Sequence, residues 1–281
     1  MKRSELIRLF LVPTVAVTFA CGGDGGGESA ESEAPAADVI TVDAATAGTL
    51  VGTISFDGQA PDGEAIDMSE EPTCAEKHDG QPMKMPAMVG PDGGLANVFV
   101  HITEGLPEGT WSTPSQPAEL DQDGCIYRPH VMGVQTGQTL VIRNSDGLLH
   151  NINAQPDNQR GFNISQPTNM TTERTFNRPE VMIPVRCDVH GWMEAYVGVQ
   201  EHPYFAVTDG TGAFTIGNLP PGDYTVEAWH ERYGVQTATV TIAESGEATA
   251  DFTFSESMAG APVPLGEPVD LHDHGAASSG P

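Results

Sequence analysis

Three residue types recur in one short segment at spacings that suit metal chemistry: Cys187-Asp188-Val189-His190-Gly191-Trp192-Met193. The thiol, imidazole and thioether sit three residues apart, at a strand end and the loop after it. A second imidazole lies upstream in Asn144-Ser145-Asp146-Gly147-Leu148-Leu149-His150-Asn151-Ile152. Two imidazoles, one thiolate and a weak thioether form the ligand set of a mononuclear blue-copper electron-transfer site. The soft thiolate shares charge with copper, the imidazoles suit both oxidation states, and the weak thioether tunes the potential. His150, Cys187, His190 and Met193 are therefore the candidate ligands of one type 1 copper. The histidine precedes the cysteine by enough chain for an intervening loop and strands.

Other chemistry finds less support. An oxygen-reducing copper cluster needs several His-x-His pairs; the chain has one, His272-Asp273-His274, in an acidic Gly/Ser-ended tail. Further His ligands for a nitrite-reducing centre cannot be assembled. No Ser/His/Asp arrangement, P-loop or dinucleotide fingerprint falls in a strand–turn–helix context. The expectation is a protein that is not an enzyme. Met83, Met85 and Met88 form a Met-x-Met-x-x-Met cluster. Its two readings are a Cu(I)-loading site and flexible side chains filling a core edge.

The charge balance narrows the partners. The chain has 281 residues, with 12 Lys+Arg against 39 Asp+Glu and a net charge of −27. Nucleic-acid binding needs clustered Lys/Arg to displace counterions, so it is excluded as a role. Acidity of this size steers basic partners, and it equally fits adaptation to salt.

The elements that must position the ligands read as strands. Period-two patterning runs through Thr49–Phe56, Ala96–Ile102, Gly137–Arg143, Glu194–Val199, Ala213–Ile216, Asp223–Trp229, Thr237–Ile242 and Glu247–Phe254. Gly, Pro, Asn and Asp punctuate them at short intervals, which signals β-sandwiches. Pro72–His78, stopped by Gly80, invites the one short helix. Residues 21–46 are Gly/Ser/Ala/Glu-rich and read as a flexible tether; residues 256–281 return to linker composition.

The N-terminus carries Lys2 and Arg3, then an apolar run from Leu6 to Ala20, then Cys21 and a glycine-rich stretch. This resembles a bacterial lipoprotein export signal over residues 1–20. The resemblance implies a lipidated Cys21, and a protein tethered to a membrane by its lipid on the periplasmic or cell-surface side. Plain secretion is the alternative. Export implies an oxidising compartment, and with Cys187 set aside for metal, Cys74 and Cys125 remain to form a disulfide. Metal ligation there with His78 and His130 is the alternative; His101, His202 and His230 read as structural.

The copper segment resembles the cupredoxins, in their plastocyanin/amicyanin branch. Asn144–Ile152 is similar to the stretch that carries the first His ligand, and Cys-x-x-His-x-x-Met has the short amicyanin spacing. The resemblance implies His150, Cys187, His190 and Met193 as ligands, Asn151 as the residue tying the two ligand loops together, and redox partners such as a c-type cytochrome. Asp188 stands where the Ser/Thr partner of that Asn is usual, and Val189 replaces a common Pro. A second resemblance lies in Asp209–Val226, with Gly-x-Phe-x-Ile and then Leu219-Pro220-Pro221-Gly222-Asp223-Tyr224. It is to carboxypeptidase regulatory-like, transthyretin-like modules, and Gly52-Thr53-Ile54-Ser55-Phe56 fits their opening strand. That reading joins two paired strands by the Pro-Pro-Gly turn, with Phe214, Ile216, Tyr224 and Val226 facing the core. The expected fold is all-β: a Greek-key cupredoxin sandwich over 107–202, inserted in a second Ig-like sandwich built from 47–106 and 203–255. A simple tandem order is the alternative.

Overall fold

Alternation of buried and open positions along Gly48–Asp57 and Ala213–Leu219 is what a strand with one face on a core requires. The computed structural model describes residues 39–260. Within them nearly all regular structure is β. The expected signal segment, Cys21, the expected tether to residue 38 and the His272–His274 pair lie outside the described residues.

Two sheets draw strands from both ends of the chain. In one, Gly48–Asp57 pairs antiparallel with Ala213–Leu219 and parallel with Glu247–Thr249 and Phe252–Ser255. In the other the order is Phe205–Val207, Phe99–Glu104, Gly222–His230, Gly234–Ile242. Between them Val98, Val100, Ile102, Phe214, Ile216, Tyr224 and Val226 share one buried cluster.

Ala213–Leu219 and Gly222–His230 belong to different sheets, which corrects the hairpin expected at Pro220-Pro221. Proline has no N–H for a hairpin ladder, and the turn carries the chain across the sandwich. Phe214 and Ile216 then meet Tyr224 and Val226 from opposite sides of the core.

Residues 118–200 build the other two sheets. One runs Phe162–Gln166, His150–Ala154, Glu180–Arg186, Glu194–Gln200, Val131–Gln135; the other runs Thr171–Arg174, Leu140–Asn144, Ala118–Gln122, Tyr127–Arg128. Leu120, Leu140, Ile142, Ile152, Val185 and Val197 fill the space between them.

Three segments depart from the expected boundaries. Residues 58–86, expected in the first sandwich, leave it. They form a small hairpin, Glu64–Ala65 against Met83–Lys84, and one helical turn, Pro72–Ala75. Ile66, Met68 and Cys74 join the second core. The Cys74–Cys125 disulfide fastens this excursion to the sandwich that carries the candidate ligands. Within the stretch expected as tether, Val39 bridges Thr110 and the Ile40 amide donates to the Thr110 carbonyl at 2.8 Å. At the other end Glu256 leaves the expected tail to bond Arg232 and Tyr233.

The two sandwiches meet through aromatic rings. Gly133 and Gly198 face each other on neighbouring parallel strands. A Cβ at Gly198 would lie 2.6 Å from the Phe99 ring, and one at Gly133 2.4 Å from Phe205. The missing side chains thus make a trough for two rings of the other sandwich. Tyr196 and Trp229 pack beside it, 5.3 Å between centroids.

His130 and Glu231 bond across the same junction, Nε2 to Oε1 at 2.6 Å. His130 also faces the Glu194 carbonyl and the Tyr196 ring. Burial pushes the His130 pKa down, but the Glu231 carboxylate outweighs it and the net shift is upward. Burial likewise opposes ionisation of Glu231, and His130 wins, holding it below the ordinary range. A raised histidine contributes stability below its unfolded pKa and loses it as pH rises; a lowered carboxylate contributes above its unfolded pKa and loses it as pH falls. The pair therefore contributes most between about pH 4.5 and 6.5. Glu231→Gln should remove that contribution. Thermal melts across this window should then converge on the wild-type curve toward pH 9.

Candidate metal centre

His150 opens the strand His150–Ala154, and Cys187 follows directly on Glu180–Arg186, the adjacent strand of the same sheet. His190 lies in the turn that follows. That turn is closed by the Met193 amide donating to the His190 carbonyl at 2.9 Å and the Cys187 amide to the Met193 carbonyl at 3.1 Å. A tight turn between antiparallel strands brings i and i+3 onto one side. The two imidazoles and the thiol each offer a ligand atom, all within 4.8 Å of one another. The Nδ1 atoms of His150 and His190 are 2.9 Å apart, and Cys187 Sγ is 3.7 Å from His190 Nδ1. All three residues are buried, and so is Met193.

The electrostatics favour a metal-binding thiolate. Burial alone would push the Cys187 thiol up. The neighbouring His150 and His190 side chains, with the Asn151 and His190 amides, outweigh it and bring the pKa to about 6. A thiolate and two imidazoles within 4.8 Å of one another suit a soft or borderline first-row metal, and copper fits this donor set.

Asn151 and Asp188 tie the two ligand-bearing strands together. The Asp188 amide donates to Asn151 Oδ1 at 2.6 Å, and Asn151 Nδ2 donates to the Asp188 carboxylate at 2.9 Å. Asn153 and Asn163 donate to the same carboxylate at 2.9 and 2.7 Å. The aspartate takes three side-chain amides where a hydroxyl would take fewer. Burial opposes its charge, and those three bonds hold its pKa below the usual value.

Sequence reasoning missed Asp146. Its fully buried carboxylate accepts the His150 Nε2–H at 2.8 Å, the Gly124 and Cys125 amides at 2.7 Å each, and Lys77 at 3.2 Å. Burial raises its pKa, but these donors, His150 foremost, take it to about 2. Nothing periodic marks Asp146, since it sits in the loop before the strand. Asn144 shapes that loop by donating to the Leu148 and Gln166 carbonyls while accepting the Asp146 amide. The expected disulfide is a second neighbour: Cys74 Sγ is 3.8 Å from His190 Nε2, so the excursion 58–86 covers that imidazole's outer edge. Trp192 closes the side, its indole donating to the Cys125 carbonyl at 3.0 Å.

The remaining candidates have partners of their own. Cys74 and Cys125 are joined to each other, and His78 bonds the Gly124 carbonyl. His101 bonds Glu227, His202 the Ile102 carbonyl, and His230 stacks on Tyr233. Met83, Met85 and Met88 are exposed, which corrects the core-edge reading. Lys84 between the first two pairs with Glu194, next to Met193. No helix among the described residues is long and apolar enough to cross a membrane.

Comparison with known proteins finds similarity in two parts. No curated protein matches the chain. Among solved structures, a Cu-containing nitrite reductase from Thermus scotoductus is 19% identical with a TM-score of 0.29, covering 35% of this chain and 25% of that one. This chain thus matches only a quarter of the reductase's length. An amicyanin mutant in its Cu(I) form is 15% identical with a TM-score of 0.28, covering 32% of this chain and 87% of its own. A purple cupredoxin from Nitrosopumilus maritimus is 23% identical with a TM-score of 0.26, covering 30% and 99%. Residues 194–255 match the family model of the carboxypeptidase regulatory-like domain.

Proposed function

We propose that this is an exported, lipid-anchored type 1 copper protein that carries single electrons between extracytoplasmic redox partners. The observation that carries the reading is the buried His150–Cys187–His190 cluster, with its thiol brought to about 6. Met193 would complete the set as the weak thioether. Copper bound there would supply a one-electron couple. What the chain supplies is rigidity. Asn151 and Asp188 lock the ligand loops together, Asp146 fixes His150, and the excursion 58–86 keeps water from His190.

A basic redox partner, a c-type cytochrome among them, fits the charge. The excursion over His190 carries Asp62, Glu64, Asp67, Glu70, Glu71, Glu76 and Asp79 against Lys77 and Lys84. Charge near the electron's exit raises encounter rates with a partner of opposite sign. The other sandwich, which holds Gly48–Asp57 and Gly222–His230, has no candidate catalytic group of its own and would position or dock the copper domain. Voltammetry of the copper-loaded protein should show one reversible one-electron wave. Reduction of a basic cytochrome c should slow steeply between about 10 mM and 0.5 M salt, as the Debye length falls below about 10 Å. Absence of a reversible wave overturns the electron-carrier reading.

The exposed thioethers of Met83, Met85 and Met88 favour a second reading, a copper carrier. It predicts facile Cu(I) transfer to a competing chelator without a reversible couple.

A further inference from the structure

The outer edges of both candidate imidazoles rest on one covalent unit. His190 Nε2 lies against Cys74 Sγ, and His150 Nε2 is held by Asp146, whose carboxylate sits on the two amides beside Cys125. Gly124 and Cys125 both have left-handed φ, 69° and 55°. Successive amides in such a turn converge into an anion-binding nest, and here the anion is the protein's own carboxylate. Oδ1 takes the Gly124 amide and Lys77, while Oδ2 takes the Cys125 amide and the His150 N–H. With each oxygen held twice, the carboxylate cannot turn away from the imidazole. The proton of His150 is thereby kept on Nε2, and the Nδ1 lone pair is left facing Cys187 and His190.

We propose that Asp146 is a positioning residue that fixes the ligating tautomer of His150 and biases the centre toward the oxidised metal. The Cys74–Cys125 unit holds it in register. A carboxylate accepting the outer N–H makes the imidazole a stronger donor, and the more highly charged ion gains more from that donor. Lys77 opposes the bias by drawing charge to the other oxygen. The inference rests on the copper reading for its redox half, while the tautomer half concerns the metal-free protein.

Two substitutions with opposite expected signs test it. Asp146→Asn should weaken Cu(II) binding about 10–100-fold, the usual loss when a ligand's outer partner is removed. Cu(I) affinity should fall less. A tenfold difference between the two losses raises the one-electron potential by about 59 mV. Lys77→Met leaves the nest intact and should move the Cu(II)/Cu(I) affinity ratio the other way. Nitrogen-15 NMR of the metal-free protein should show the Nε2–H tautomer of His150 in the wild type and a mixture in Asp146→Asn. Equal losses of both oxidation states in Asp146→Asn would reduce the residue to a fold support and overturn the proposal. Should Asp146→Asn fail to fold, an unchanged ratio in Lys77→Met overturns it alone. A wild type that forms no thiolate–Cu(II) band removes the copper reading instead, and the wild-type tautomer still decides the positioning role.

Discussion

Copper-loaded wild type should absorb intensely near about 600 nm, as a thiolate bound to Cu(II) in a trigonal site does, and Cys187→Ser should lose the band entirely. No other described cysteine can substitute, because Cys74 and Cys125 are committed to each other. Serine keeps the size of the side chain but not the soft, polarisable donor. Its hydroxyl also stays protonated where the Cys187 thiol ionises at about 6. Met193→Leu separates the roles: the colour should persist while the potential rises, since the thioether is the weak member of the set. Titration of the apo-protein with Cu(II), followed by visible absorption, reads both variants. A band that survives Cys187→Ser would contradict the assignment of the ligand.

Loss of the Cys74–Cys125 disulfide should be the largest stability effect available from one bond. It closes a loop across a sequence separation of 51, for which the chain-entropy relation gives about 4 kcal/mol. The double variant Cys74→Ala/Cys125→Ala should therefore unfold at markedly lower denaturant. Its excursion, residues 58–86, should also exchange amide hydrogens faster than either sandwich. The same change should perturb the metal centre, because Cys74 lies 3.8 Å from His190 Nε2. Denaturant melts and hydrogen exchange on the metal-free protein separate the two effects. Unchanged melts would show that the excursion is held by its buried Ile66 and Met68 alone.

The sequence made the candidate ligands visible for a chemical reason. Thiol, imidazole and thioether are rare enough, and the Cys187–Met193 turn short enough, that their spacing carries geometry by itself. The alternating strands were visible too: Val98, Val100 and Ile102 show one face in the sequence and share one core in the structure. What stayed hidden depends on contacts without a local period. Asp146 is one acid among 39 Asp and Glu residues, distinguished only once folding places two amides and an imidazole around it. The excursion 58–86 was assigned to the sandwich that contains its neighbours in sequence. Its few apolar residues could not show which core they would enter. Pro220-Pro221 looked like a hairpin because both flanking strands alternate, and alternation says nothing about which sheet a strand joins. In the second sandwich the close packing of Gly133 and Gly198 against Phe205 and Phe99 was equally unreadable, since a glycine in a strand also reads as a bulge or a weak point.

On the proposed reading, His150, Cys187, His190 and Met193 hold one copper in a trigonal, thiolate-bound site. Electron paramagnetic resonance of the protein loaded with one equivalent of Cu(II) tests it most directly. Strong delocalisation onto the Cys187 sulfur lowers the copper hyperfine coupling along the principal axis. The expected result is a single species with a small parallel splitting. It should vanish in Cys187→Ser and keep its form in Met83→Leu/Met85→Leu. A large parallel splitting typical of tetragonal nitrogen and oxygen coordination, unaffected by Cys187→Ser, would contradict the account.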